Sequence, residues 1–165
     1  MITPVNSNIV TMRVDAIVNA ANEAFRGGGG VDGAIHRAAG PELLVECTRR
    51  ARLPTGDAVL TRGYQLPAPW IIHTVGPIWR GRSDDAVLLE RAYESVFRIA
   101  REQGEIRTMS FPAISTGAYG YPKDAAAAIA VDVMRRHEAV FDELFVCVMD
   151  DENRKAYANA LKETS

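Results

Sequence analysis

A chain of 165 residues, 47% of them hydrophobic, is long enough to bury one real core and reads as a single domain over residues 1–165. A net charge of −2 leaves no basic surface for nucleic acid or an anionic membrane, so neither is expected as a direct partner. A phosphorylated ligand would have to be held by backbone dipoles rather than by a lysine cluster.

Cys47 and Cys147 have neither metal nor redox spacing, and are expected to be buried free thiols in a reducing compartment. The N-terminus lacks a charged segment followed by an apolar run, and no apolar run approaches the ~20 residues of a membrane span. A cytoplasmic monomer is the expectation.

Val14–Ala20 is apolar and β-branched and reads as a buried strand. Asn19 and Asn22 stand at its end and just past it. Asparagine there ordinarily forms turns. Two of them, separated by Ala20 and Ala21 and followed by glycines, suggest carboxamides aimed at sugar hydroxyls, because a carboxamide both donates and accepts. The run Gly27-Gly28-Gly29-Gly30-Val31-Asp32-Gly33 comes next. Four glycines cannot pack a core; they offer bare N–H groups and room for a ligand against the backbone. Asp32 falls in the first turn of a helix over Val31–Ala39, where the positive helix end favours a carboxylate. N-capping is its ordinary role, and polarising a water is the catalytic one. His36, four residues on, either lines the same cleft or is structural.

A second helix spans Glu42–Arg52 after Gly40-Pro41. Ala58–Arg62 and Trp70–Val75 are strands, the latter with His73 as a satisfied core residue and a stop at Gly76-Pro77. Asp84–Gln103 is an amphipathic helix with Val87, Leu88, Ala92, Val96, Ile99 and Ala100 on one face, stopped by Gly104. Thr108–Ala113 is a strand. It leads into Ser115-Thr116-Gly117-Ala118-Tyr119-Gly120-Tyr121-Pro122, where Gly117 and Gly120 permit positive φ and Pro122 opens a helix to about His137, itself expected to be solvated. This loop is a second anion cradle at a helix start. Leu144–Met149 is a strand, and Asn153–Lys162 a closing helix.

Strands alternating with helices imply an α/β sandwich with helices on both faces and a cleft at the strand carboxyl ends. Gly28–Gly33 formally matches G-x-G-x-x-G, but Ala21–Arg26 separates it from the strand and no acid ends a second strand ~20 residues on. That spacing argues against a nicotinamide-dependent oxidoreductase. No G-x-x-x-x-G-K-[ST] string exists, which excludes a P-loop NTPase. The three histidines have no metal-ligand spacing, so neither zinc nor another cofactor is expected. No serine or cysteine has a triad context.

These strings resemble the macro domain family, and within it the MacroD-type hydrolases. The matching segments are Asp15–Asn22 (DAIVNAAN), Gly27–Gly40 (GGGGVDGAIHRAAG), His73–Ile78 (HTVGPI) and Phe111–Pro122 (FPAISTGAYGYP), in order over nearly the whole chain. The resemblance implies a three-layer α/β/α fold with a mixed central sheet, and a cleft for ADP-ribose. It implies that Gly28, Gly29, Gly30 and Val31, with Ser115, Thr116, Gly117, Ala118 and Tyr119, hold the diphosphate through backbone N–H groups. Asn22 would orient the distal ribose, Tyr119 would stack on it, and Asp32 would sit beside the water. Asn8, Ile9, Ala20, Ala21, Gly120 and Met149 complete the implied contacts. The implied activity removes ADP-ribose from acidic side chains of mono-ADP-ribosylated proteins and deacetylates O-acetyl-ADP-ribose, without a metal. A non-catalytic reader of ADP-ribose is the alternative on the same fold.

The chain departs from the family at three places. Ser7-Asn8-Ile9-Val10 replaces the usual Gly-Asp-Ile-Thr, whose aspartate accepts the adenine amino group. The Asn8 carbonyl still accepts, without charge assistance, which implies looser adenine selection. Ala118 replaces a valine or isoleucine, and Met149 falls where an aromatic ring is common.

Overall fold

The computed structural model describes residues 1–164. Six strands form one sheet: β1 (Ile2–Val5), β2 (Ala16–Ala20), β3 (Ala58–Arg62), β4 (Trp70–Thr74), β5 (Thr108–Phe111) and β6 (Glu143–Cys147). Their order is β1-β6-β5-β2-β4-β3. All neighbours run parallel except β3 and β4, so the sheet is mixed, as expected.

Residue alternation on β2 shows why there are three layers. Ala16 and Val18 face a core built with α3 (Ser83–Gln103), α4 (Lys123–His137) and α5 (Asp151–Thr164). Ile17, and Ala21 just past the strand, face a second core built with α1 (Gly30–Ala39) and α2 (Pro41–Cys47). A strand between two helical layers must be apolar on both faces. Asn19 is therefore the exception in its strand. It is fully buried, in register with the equally buried His73 of β4.

Several expectations need correction. β1 was not expected: it is short and carries Pro4, which its position at the sheet edge tolerates. The helix expected over Glu42–Arg52 stops at Cys47. There the Arg26 guanidinium takes the Cys47 and Arg50 carbonyls, and the Leu53 amide bonds to the Glu23 carbonyl, which draws the chain away. On α3 the buried stripe is Leu89, Ala92, Tyr93, Val96, Phe97 and Ala100, while Val87 is 66% exposed. The face is turned because Tyr93 and Phe97 carry more apolar area than Val87, Leu88 and Ile99. His137 is not solvated: its ring stacks on Phe97 at 4.5 Å and Nε2 lies 2.9 Å from Glu94. Cys47 is buried, but Cys147 is only partly so. Gly104 does end α3, in the left-handed region at φ 88°.

Burial, and then the neighbouring charge of His36, push the His73 imidazole down to about 3. Unfolding returns it to its ordinary 6.5, so between these values the unfolded chain binds a proton that the folded chain refuses. Stability from this group is full above pH 6.5 and falls as the pH drops towards about 3. Denaturation of the His73→Leu variant should show a flatter pH dependence of unfolding free energy in that window, by about one proton. A slope equal to that of the wild type would contradict a neutral buried imidazole.

Candidate active site

A cleft of about 820 Å³ opens where the parallel strands end. This lies within the size range of small-molecule sites. Its walls are the segments after β1, β2, β5 and β6, with Gly76 from the end of β4. β2 and β5 are neighbours, and the chain leaves them towards opposite faces, α1 on one side and α4 on the other. The loops at such a switch point diverge and leave a crevice between them.

The first wall is the segment between β2 and α1. Asn22 forms its turn: Oδ1 accepts from the Phe25 amide at 3.2 Å and Nδ2 donates to the Gly27 carbonyl at 3.3 Å. Phe25, at φ 56°, drops into the core edge-on to the His73 ring, with centroids 5.0 Å apart. Glu23 takes the Thr55 amide and hydroxyl, both at 3.0 Å. Anchored on both sides, the glycine run reaches α1, which has no side-chain cap. Asp32 therefore does not cap its helix. The first amides of α1 stay open to the cleft, as helix N-termini leave them.

The second wall is the segment between β5 and α4. Ser115, at φ 69°, donates Oγ–H to the Pro77 carbonyl at 2.8 Å, and its own carbonyl accepts from the Tyr121 amide at 2.9 Å. A Cβ on Gly76 would run into Ser115 Oγ, so only glycine lets the two strand ends meet this closely. The Tyr119 carbonyl accepts from the Trp79 amide. Among the described residues no protein acceptor meets the amides of Gly117, Ala118 or Tyr119. Burial, followed by the charges of Glu23 and Asp32, raises the Tyr119 phenol.

Asp32 is 5% exposed. Its Oδ1 accepts from Asn19 Nδ2 at 2.8 Å and lies 3.5 Å from His36 Nε2. Its Oδ2 is buried without a protein partner among the described residues. Gly28 and Asn22 lie over that oxygen: a Cβ on Gly28 would stand 3.0 Å from Asn22 Nδ2 and 3.3 Å from Asp32 Oδ2. The Gly28 carbonyl packs so closely on Gly33 that a Cβ there would collide with it.

Asn8, Ile9, Ala20, Ala21, Asn22, Gly29, Gly30, Val31 and Asp32 line the cleft, with Ser115, Thr116, Gly117, Ala118, Tyr119 and Met149. Gly28 does not; it packs behind the wall, over Asp32. Gly120 borders a neighbouring depression with Lys123 and Lys155. Asn19 is not aimed at a ligand: it is fully buried, bonded to Asp32 and His73. Asn8 Oδ1 accepts from the Val10 amide at 3.2 Å, capping a short 3-10 turn. Residues that sequence reasoning missed include Ser7, Gly76, Cys147, Asp150 and Asn153. Gly76 lay in view in the HTVGPI string; the last three reach the cleft only because β6 ends beside β5. Hydrogen bonds from the Asn153 main chain, then from its side chain and Lys123, hold Asp150 down at about 2. Burial pushes the Cys147 thiol up to about 11, which leaves it a poor nucleophile. Among the described residues no three His, Cys, Asp or Glu converge as ligands for a metal ion.

This geometry has close relatives. A macro domain-containing protein of Ralstonia nicotianae is 52% identical over 158 residues, spanning 95% of this chain and 92% of its own. An O-acetyl-ADP-ribose deacetylase of Enterobacter cloacae is 49% identical over 168 residues, 96% of this chain and 92% of its own. The solved Oceanobacillus iheyensis macrodomain with ADP superposes with a TM-score of 0.91 at 40% identity, covering 98% of this chain and 90% of that one. The Macro domain family itself matches residues 18–130, and the chain belongs to that family.

Proposed function

We propose that the cleft binds ADP-ribose and that the protein hydrolyses an ester at its distal ribose. Its substrates would be O-acetyl-ADP-ribose and proteins carrying mono-ADP-ribose on acidic side chains. The Enterobacter relative's name supports the first. One observation carries the reading: the Asp32 carboxylate has one oxygen tied to Asn19 and the other free of protein partners, at the edge of a cleft lined with open amides. A binding module needs the amides alone; the free carboxylate oxygen favours an enzyme over a reader.

In this reading the open amides of Gly29–Val31 and of Gly117–Tyr119 hold the diphosphate from both sides. The start of α1, which lines the cleft, adds its dipole. That arrangement suits a chain with net charge −2, which has no cationic cluster to offer. Asn22 fixes one edge of the distal ribose and Tyr119 covers its face. Asp32 takes a proton from a water as the water oxygen attacks the acyl carbon of the ester; the bond from that carbon to the ribose oxygen then breaks, and Asp32 returns the proton to the leaving ribose oxygen. Metal chemistry is not required, because carboxylate and bound diphosphate supply the charge the water needs. Positioning of this kind is worth several kcal/mol, on the order of tenfold in rate for each 1.4 kcal/mol. The water would reach Oδ2 beside Gly28, where the absence of a side chain leaves room: a Cβ there would stand 3.3 Å from that oxygen. At the other end, Asn8 and Ile9 meet the adenine, with Met149 on the rim.

A time course with both substrates tests the chemistry. Asp32→Ala should lose turnover by at least about a hundredfold, as removal of a general base does, while its thermal unfolding stays cooperative. Undiminished turnover would move the base elsewhere, and tight ADP-ribose binding by a wild type without turnover would make the protein a reader. Calorimetry tests the adenine end: Asn8→Asp should tighten ADP-ribose binding by about 1 kcal/mol, the difference between a neutral and a charge-assisted hydrogen bond. No gain would remove Asn8 from adenine recognition.

A further inference from the structure

Behind the cleft, Thr61, His73 and Asn19 form a line of hydrogen bonds that ends on Asp32. None of the three lines the cleft. Thr61 Oγ lies 2.8 Å from His73 Nε2, His73 Nδ1 lies 3.0 Å from Asn19 Nδ2, and Asn19 Nδ2 lies 2.8 Å from Asp32 Oδ1. All three side chains are buried, Asn19 and His73 completely.

Each bond has only one allowed direction. A carboxamide nitrogen only donates, so His73 Nδ1 must accept and carries no proton. The imidazole proton then sits on Nε2 and goes to Thr61 Oγ, whose own hydrogen meets the Arg62 carbonyl at 3.2 Å. Turning the Asn19 amide over would set its Oδ1 against the Asp32 carboxylate and leave that carboxylate oxygen without its donor, whichever ring nitrogen of His73 carried the proton. The line therefore holds together in one tautomer and one amide orientation.

We propose that His73 is a positioning residue for Asp32, acting through Asn19: its bare Nδ1 locks the carboxamide so that the second N–H meets the carboxylate. This rests on the reading of Asp32 as the group that activates water. With Oδ1 committed to Asn19, Oδ2 is the oxygen left for the reaction. The groups around the ring suit a neutral imidazole. Asp32 reaches it only through Asn19, His36 approaches from the same helix, Phe25 packs edge-on from the loop after β2, and Thr61 on β3 is uncharged. A proton on Nδ1 would face a donor. β4 thus contributes to the site from the layer beneath it, through register with β2.

Kinetics and calorimetry with O-acetyl-ADP-ribose and ADP-ribose on the intact protein test the proposal. His73→Leu should lower kcat about tenfold, the scale of one buried hydrogen bond, with KM and the ADP-ribose Kd little changed. His73→Asn, whose Oδ1 can stand where Nδ1 stood, should regain most of that loss. A folded His73→Leu protein that turns over at the wild-type rate, where Asp32→Ala is inactive, would overturn the positioning role and leave the Asp32 reading intact. Turnover that survives Asp32→Ala would overturn that reading instead. Nitrogen-15 NMR of the wild-type imidazoles gives a readout independent of activity and of variant folding. It should find His73 protonated on Nε2 alone and unchanged from about pH 8 to 5. Protonation at Nδ1 in that range would overturn the proposal.

Discussion

The constraint on which this structure turns is a polar side chain buried in the middle of a sheet. Asn19 sits on a strand covered on both faces by helices, where every unpaired N–H or carbonyl is costly. Its two N–H bonds go to His73 and Asp32. Those partners come from a neighbouring strand and from the first turn of α1, so satisfying the two N–H groups of one carboxamide ties the sheet to the helix that heads the cleft, while Asn19 Oδ1 has no partner among the described residues. The turn made by Asn22 and the drop of Phe25 onto His73 lie between that anchor and the start of α1. A leucine at this position would join nothing and would leave buried Asp32 Oδ1 and His73 Nδ1 without their donor.

The cleft itself is built from what the chain leaves unpaired. Most buried main-chain amides find carbonyls, but among the described residues those of Gly29, Gly30 and Val31 after β2 and of Gly117, Ala118 and Tyr119 after β5 meet no protein acceptor. Glycine makes that arrangement possible on one wall. On the other, Ser115 takes a positive φ and is held there by the Pro77 carbonyl and the Tyr121 amide. Gly76 lets the β4 end approach Ser115 where any Cβ would block it. The walls are thus rigid through hydrogen bonds behind them and open in front. That is a sound way to hold an anion with a nearly neutral chain.

Much of this was legible in the residues. Alternating apolar runs and helical stripes locate five of the six strands and four of the five α-helices to within a few residues; α2 alone ends well short of its expected bound, at Cys47. The glycine run and the Ser115–Tyr121 loop stand out because both break apolar periodicity just after a strand. Less visible were features that depend on which strands become neighbours. β1 has too few apolar residues and a proline, and is recognisable as a strand only by pairing with β6. On α3 the expected Ala92, Val96 and Ala100 do lie on the buried stripe, but Val87, Leu88 and Ile99 give way to Leu89, Tyr93 and Phe97, since periodicity does not weigh rings against aliphatic chains. His137 looked solvated because Phe97, which stacks on it, is forty residues away in sequence.

The sequence by itself determined the alternation of strands and helices, the places where main-chain amides lie bare, and the family strings that carry Asn22 and Asp32. Local chemistry suffices for these: period, turn residues and composition act over a few neighbouring residues. Tertiary structure alone decided that Asn19 turns inward while Asn22 stays at the cleft, that His73 stands beside Asn19, and that Cys147, Asp150 and Asn153 reach the site. Each depends on strand register and order. A one-residue shift of β2 against β4 would leave the sequence unchanged and separate the hydrogen bonds that end on Asp32.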